Sequence, residues 1–132
     1  MSGRGADTKV SGDLLVRVES LRELGEAVCH RLALEVERIG LASEVVIPGF
    51  DRAAFSLKRD PATGDGGLVG LWRDTNGRPR GSMVFHGDGS FFAEHDVLRV
   101  HPARPGWFVE AVTAWGRDGV IKGESRLIAM PE

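Results

Sequence analysis

The sequence predicts an α+β fold: one long N-terminal helix packed on a twisted antiparallel β-meander of about six to seven strands. Three observations indicate this class. An amphipathic stripe runs from residue 20 to residue 40, short apolar runs follow it, and 18 glycines are scattered through the 132 residues as turn signals rather than clustered as a linker. Glycine between short apolar runs is typical of strands joined by tight turns, because glycine accepts the backbone angles that such turns need.

The helix is predicted from Ser20 to Gly40. Its apolar residues recur at steps of three and four and therefore share one side of a 3.6-residue helix: Leu21, Leu24, Val28, Leu32, Val36 and Ile39. Ser20 and Glu23 have the spacing of a capping box, and Gly40 is placed to end the helix in the left-handed conformation. The preceding residues, 13–19, fit a strand by their β-branched content or two further helical turns by their stripe. Helix is the preferred interpretation.

The rest of the chain consists of short apolar runs between turn signals, which predict seven strands. These lie near Glu44–Ile47, Ala53–Arg59, Leu68–Asp74, Arg80–His86, Phe91–Val100, Trp107–Trp115 and Val120–Met130. Asn76-Gly77 and Asp88-Gly89 favour two-residue hairpin loops, and loop length sets the register of the paired strands.

Two-residue loops predict specific cross-strand partners. They place Leu68 opposite Phe85 in the first hairpin and Phe85 opposite Phe92 in the second. In this register Met83 lies opposite Glu94, so an acidic residue falls on the face that carries the apolar core.

Length and composition predict a single domain over residues 12–132, preceded by an N-terminal tail over residues 1–11 that is expected to be disordered. Seventeen Lys and Arg against 19 Asp and Glu give a net charge of −2, without the basic excess of nucleic-acid-binding proteins. The single cysteine, Cys29, excludes an intrachain disulfide and favours a reducing compartment. No segment approaches the roughly 20 apolar residues that span a bilayer. We therefore expect a cytoplasmic protein of bacterial type, with neither nucleic acid nor membrane as a partner.

One candidate pocket follows from the predicted register. Glu94 and Asp96 fall on the core face, and Glu110 interrupts the apolar series of its own strand. Buried carboxylates are costly unless they are paired, so these side chains either form structural ion pairs, turn to solvent at a bulge, or line a wet pocket. Such a pocket would include Trp72 and Met83, and a carboxylate with a raised pKa could act there as a general acid or base.

A metal site is a weaker hypothesis. His86, His95 and Asp96 lie close in sequence, but the predicted register separates the two histidines by about 13 Å along the sheet, at about 3.3 Å per residue. Asp96 also projects to the face opposite His95, so a bulge would be needed to gather the ligands. We predict no metal and no other cofactor.

Trp107 and Trp115 form a candidate interface. Strict alternation along their strand places both on the face opposite the core, and outward pairs of large aromatic residues are typical of protein contacts. The alternative is that other strands of the same chain cover this face. We expect a homodimer that forms through it.

These features predict a non-enzymatic accessory or binding protein that acts through a sheet face or edge, as a homodimer or with another protein. The chain has no GxSxG, HExxH, CxxC or phosphate-loop motif, which favours a non-enzyme. The alternative is a small enzyme, or a ligand or metal binder, with its site at Glu94, Asp96 and Glu110. A weaker alternative is a chaperone or immunity-type partner protein.

Overall fold

The computed structural model describes residues 12–59 and 66–131, and the predicted N-terminal tail lies outside them. These residues form two α-helices and one six-stranded antiparallel sheet. Each strand pairs with its neighbour in chain order: β1 Ala54–Arg59, β2 Gly66–Arg73, β3 Pro79–Phe85, β4 Phe91–Val100, β5 Trp107–Arg117 and β6 Val120–Ala129. The α+β class with an antiparallel sheet is therefore confirmed.

The prediction of one long helix is wrong, because residues 12–59 form two α-helices. Residues 12–20 form α1 and Arg22–Arg38 form α2, with Leu21 between them at φ −103° and ψ 3°. Ser20 does not cap α2, since its hydroxyl donates to the carbonyl of Arg17 at 2.8 Å instead. The helical interpretation of residues 13–19 is confirmed.

The C-terminal end of α2 follows the prediction. Gly40 adopts φ +84°, and its amide donates to the carbonyl of Glu37. The amide of Leu41 donates to the carbonyl of Val36 at 3.1 Å. These two hydrogen bonds form a Schellman motif, in which the left-handed residue is most often glycine.

Six of the seven predicted strands are present, and the strand expected at Glu44–Ile47 is not. The carbonyl of Leu41 accepts the amides of both Glu44 and Val45, so this segment begins as a turn after the helix. It continues as an irregular loop and ends in a single 3₁₀ turn at Phe50–Arg52. Short apolar runs predict strand and buried loop equally well, because both place alternate side chains in the core.

Both predicted tight turns contain three loop residues rather than two. Asp74 pairs with Arg78 and His86 pairs with Ser90 through backbone hydrogen bonds, and the last loop residue of each turn is a glycine with positive φ. This is the common three-residue hairpin with a glycine bulge. A loop longer by one residue shifts the register by one position and moves every following side chain to the other face.

The first hairpin nevertheless has the predicted pairing, because a β-bulge compensates for the longer loop. Trp72 pairs with Gly81 and Arg73 pairs with Pro79, which leaves Arg80 as the extra residue of β3. Leu68 therefore lies opposite Phe85, as predicted.

The second hairpin has no compensating bulge. Phe85 pairs with Phe91 rather than Phe92, and Met83 pairs with Ala93 rather than Glu94. Phe91, Ala93 and Val97 are accordingly buried. The predicted face assignment of β4 is thus reversed from Phe91 to Asp96.

The core lies between one sheet face, called here the core face, and the two helices with the loop that follows them. Its largest fully buried side chains come from α2, the loop and strands β2, β3 and β5: Trp72, Phe85, Leu32, Leu41, Leu68, Met83, Val28, Val36, Val109 and Val112. α2 lies close to β6, because a β-carbon on Gly123 would be only 2.7 Å from Nε of Arg31. In the described part of the chain no helix packs on the opposite face, called here the outer face.

Candidate functional site

The outer face carries a continuous apolar row across four neighbouring strands. Val69, Val84, Phe92 and Trp115 are consecutive cross-strand partners in β2, β3, β4 and β5. Phe92 is 41% exposed and the other three are half-buried. The row ends at Ser56 in β1 and at Lys122 in β6. We call Val69, Val84, Phe92 and Trp115 the apolar row.

Charged residues of opposite sign flank the apolar row. The next outer-face position is Glu94 in β4 and Glu124 in β6. Both are cross-strand partners of Thr113 in β5, which lies between them. On the other side of the row, the corresponding positions of β1, β3 and β5 are Lys58, His86 and Arg117. We call the first group the acidic flank and the second group the basic flank.

One residue of the basic flank, Arg117, already forms an ion pair with a carboxylate of the β3–β4 loop. Arg117 donates to the carboxylate of Asp88 at 2.6 Å, and about half of each side chain is exposed. An exposed pair of this kind contributes little stability, so Arg117 can exchange this partner for another carboxylate at low cost.

Trp107 and Trp115 lie on opposite faces, contrary to the prediction. Val109 pairs with Leu127 and Ala111 pairs with Arg126, so Glu110 is an extra residue in β5. The alternation of side chains reverses at this bulge. Trp115 therefore remains on the outer face, whereas Trp107 lies on the other side, where the guanidinium of Arg104 is 5.0 Å from its ring.

The three predicted pocket carboxylates do lie near one another, but on the outer face. Arg126 donates to Glu94 and lies 3.6 Å from Glu110, and the hydrogen bond to Glu94 is the main reason that the pKa of Arg126 is raised. Asp96 lies 4.0 Å from Arg80, which also bonds Asp74 at 3.0 Å. The arrangement is a partly exposed ion-pair network, one of the alternatives left open by the sequence.

The two apolar members of the predicted pocket are not part of this network. Trp72 and Met83 are buried in the core, on the other side of the sheet from Glu94 and Asp96. The indole of Trp72 donates to the carbonyl of Gly49 at 3.1 Å. The structure therefore divides the five predicted pocket residues between two faces.

His95 lies on the core face, where the predicted register places its neighbours Glu94 and Asp96. It is half-buried beside Trp72, with ring centroids 5.8 Å apart, and it lies opposite Gly81. Its Nδ1 donates to the carbonyl of Asp96 at 2.7 Å, because a carbonyl can only accept. Burial lowers the pKa of His95, which keeps the imidazole neutral near pH 7.

The weak metal candidates are separated by the sheet. His86 and Asp96 lie towards the outer face, at opposite ends of their hairpin, whereas His95 lies on the core face. Residues 12–59 and 66–131 contain no group of three or more His, Cys, Asp or Glu side chains placed to hold a metal ion.

A second surface feature is an open cleft of about 420 Å³ at the irregular end of β4. Leu98 adopts φ 54° there, an uncommon conformation for a branched side chain. Arg99 donates to the carbonyls of Val97 and Leu98, and no carboxylate within salt-bridge distance of it is found among the described residues. The cleft is lined by Glu44, Val45, Val46, Arg80, Asp96, Val97, Leu98 and Arg99.

Comparison with protein-family models, with curated proteins and with solved structures gives no match. Within the described residues, no helix has the length and apolar character needed to cross a membrane. Function must therefore be argued from the surfaces of this chain.

Most of the apolar row is not predicted by the sequence pattern. Of its four members only Trp115 was proposed as a contact residue, and Phe92 was assigned to the core by the one-residue register error. The available signal was Ser90 after Asp88-Gly89: Asp88 accepts hydrogen bonds from both the amide and the hydroxyl of Ser90, which favours the longer loop.

Proposed function

We propose that this protein is a non-enzymatic binding module that forms a homodimer through the outer face of its sheet. The main support is the apolar row, which crosses four strands on a face that no described helix covers. Antiparallel sheets with one solvated face are expected to alternate apolar and polar side chains strictly. A row that includes a Phe and a Trp on the second face therefore favours a partner there.

The composition of the face supports a protein contact. Aromatic residues are enriched at the centre of interfaces and charged residues are concentrated at the rim. The outer face has this arrangement, with Phe92 and Trp115 adjacent at the centre and the two charged flanks on either side. Face-to-face packing of two such sheets is a common way to bury apolar side chains, at a sheet separation of about 10 Å.

The experiment is a measurement of mass in solution by sedimentation equilibrium for the native chain and the Phe92→Lys variant. We expect a native dimer and a variant monomer, because a charged side chain at the centre of the interface would be buried without a partner. Val46→Lys is the matched control: Val46 is 80% exposed and lies in the loop after α2, away from the apolar row. It should remain dimeric.

A second variant and a measurement of secondary structure distinguish loss of the dimer from loss of the fold. Trp115→Lys should also be monomeric, and circular dichroism should show native secondary structure for both variants. A native chain that is monomeric at all concentrations, or a Phe92→Lys variant with the native dimer mass, would refute the proposal.

A second candidate function is the binding of a small carboxylate in the cleft. The specific observation is Arg99, whose guanidinium is held by two backbone carbonyls and keeps N–H groups available for a bidentate carboxylate. Acetate and leucine would be titrated while amide chemical shifts are recorded. We expect shifts at Val97 and Leu98 in the native chain and their loss in Arg99→Gln, with Arg104→Gln as the control; identical titrations of all three would refute this candidate.

A further inference from the structure

We infer that the two copies in the proposed dimer are related by a two-fold axis that runs across the strands, along the apolar row. This inference rests on the proposed outer-face dimer and specifies its geometry and the residues that determine its specificity. The positions of the two charged flanks, which are set by the observed strand register, decide between the possible axes.

Two orientations are open to a symmetric face-to-face dimer. An axis parallel to the strands would place each flank above the same flank of the second copy, so Glu94 and Glu124 would face carboxylates and Arg117 would face cations. An axis across the strands exchanges the flanks and places the acidic flank above the basic flank. Like charges that face each other at a desolvated interface strongly weaken binding, and opposite charges fix orientation and register.

The second orientation gives a specific contact at one edge of the face. Trp115 pairs with Lys122, and Arg117 pairs with Val120. Rotation about the apolar row places Glu124 of the second copy above Val120, directly beside Arg117. Neighbouring strands are about 4.8 Å apart and packed sheets about 10 Å apart, distances that an arginine and a glutamate side chain span together.

The charged residues of the two flanks also differ in the ion pairs that they already form within one copy. Within the described part of the chain, Arg117 has only its exposed contact with Asp88, and Glu124 has no cation within salt-bridge distance. Glu94, in contrast, is already held by Arg126. Arg117 and Glu124 are therefore the charged pair most available to a second copy. Lys122 meets its own symmetry copy at the end of the row, but it lies on the edge strand, where its ammonium reaches solvent.

The test is a charge exchange between two variants. Arg117→Glu alone should weaken the dimer at least tenfold, because the introduced carboxylate would then face Glu124 of the second copy. Glu124→Arg alone should weaken it similarly, because two arginines would meet. An equimolar mixture should form a heterodimer with nearly the native dissociation constant. Each variant homodimer has like charges at both symmetry-related contacts, whereas in the heterodimer both contacts join a carboxylate and a guanidinium.

Each variant would carry a different tag, so that native mass spectrometry separates the heterodimer from the two homodimers. Arg104→Glu, a charge reversal away from the outer face, is the control and should leave the dissociation constant unchanged. Failure of the mixture to form a heterodimer, or tighter association of Glu124→Arg alone, would overturn the inferred axis. If the native chain is instead monomeric while Phe92→Lys has no effect, the proposed function itself fails.

Discussion

The ring of Phe50 lies directly against the bare α-carbon of Gly25. A β-carbon built on Gly25 would lie 2.1 Å from Cδ1 and 2.2 Å from Cε1 of that ring, far inside van der Waals contact. Phe50 is buried, and its ring also packs 4.7 Å from Phe55 and 6.4 Å from Phe85, measured between centroids. A glycine in the first turn of α2 thus lets the helix, the 3₁₀ turn and the sheet pack together around the Phe50 ring.

The first prediction concerns the sign of a Gly25→Ala substitution. In an exposed helix interior this change stabilises by about 1 kcal/mol. Here we expect net destabilisation of about 1–3 kcal/mol, because the new methyl group forces Phe50 out of its site. Urea denaturation measures the free energy of unfolding. Gly25→Ala combined with Phe50→Leu should recover part of the loss, and an increase in stability in the single variant would contradict the contact.

The second prediction concerns the buried carboxylate Glu35, which accepts hydrogen bonds from Arg31 at 3.2 Å and Arg38 at 3.0 Å. Arg31 is 27% exposed and lies against Gly123 of β6, whereas Arg38 is 55% exposed. Arg31→Ala should cost about 1–2 kcal/mol, because it removes packing and half the compensation of a buried charge. Arg38→Ala should cost about 0.5 kcal/mol or less. Equal losses of stability for the two variants in thermal denaturation would contradict this prediction, because they would show that the burial of the arginine has no effect.

The third prediction is a loss of stability at acidic pH through His95. Burial lowers its pKa in the folded protein below the ordinary value near 6.5. The unfolded chain therefore binds a proton first as the pH falls through 6.5, and the free energy of unfolding decreases until the folded pKa is reached. Above pH 7 both states are neutral, so this group contributes no pH dependence there.

Two measurements check the His95 prediction. An NMR titration of its ring protons should give a midpoint below 6.5. The free energy of unfolding of His95→Gln should fall less steeply than that of the native chain between pH 7 and pH 5. A ring midpoint at or above 6.5 would mean that the imidazole is not desolvated beside Trp72.

The fourth prediction concerns the reactivity of Cys29. Burial raises the pKa of its thiol to about 11, and its sulfur lies 3.9 Å from Sδ of Met83. At pH 8 about a thousandth of the folded thiol is ionised, compared with roughly a quarter for an unfolded thiol of pKa about 8.5. Labelling of Cys29 by an alkylating reagent should therefore be on the order of 100-fold slower in native buffer than in about 6 M guanidinium. Most domains are unfolded at about that concentration. Equal rates would place the thiol in solvent.

The sequence predicted the sheet better than its faces. Six strands lie where turn signals and apolar runs placed them, because those signals are local. The pairing of Leu68 with Phe85 was predicted from the wrong turn length and is correct only because a bulge at Arg80 compensates for it. In the second hairpin no bulge follows, and the same assumption moved Phe92, Glu94 and Asp96 to the wrong face.

The candidate site depended on those faces and was predicted only in part. Trp115 was identified as outward-facing from its alternation with Ala114 and Val112, and the structure agrees. Trp107 was grouped with it, but the bulge at Glu110 separates the two. Bulges leave little trace in a single sequence, because they need one extra residue and no particular side chain.

The class of fold, the span of most strands and the helical stripe follow directly from the amino-acid sequence, since periodicity and turn chemistry act over a few residues. Which side of the sheet each residue faces is established only when the strands pair in the folded protein. That choice depends on loop length and on bulges such as those at Arg80 and Glu110, and a single residue reverses it because side chains alternate with a period of two. The apolar row and its charged flanks exist as a surface only after those choices are made.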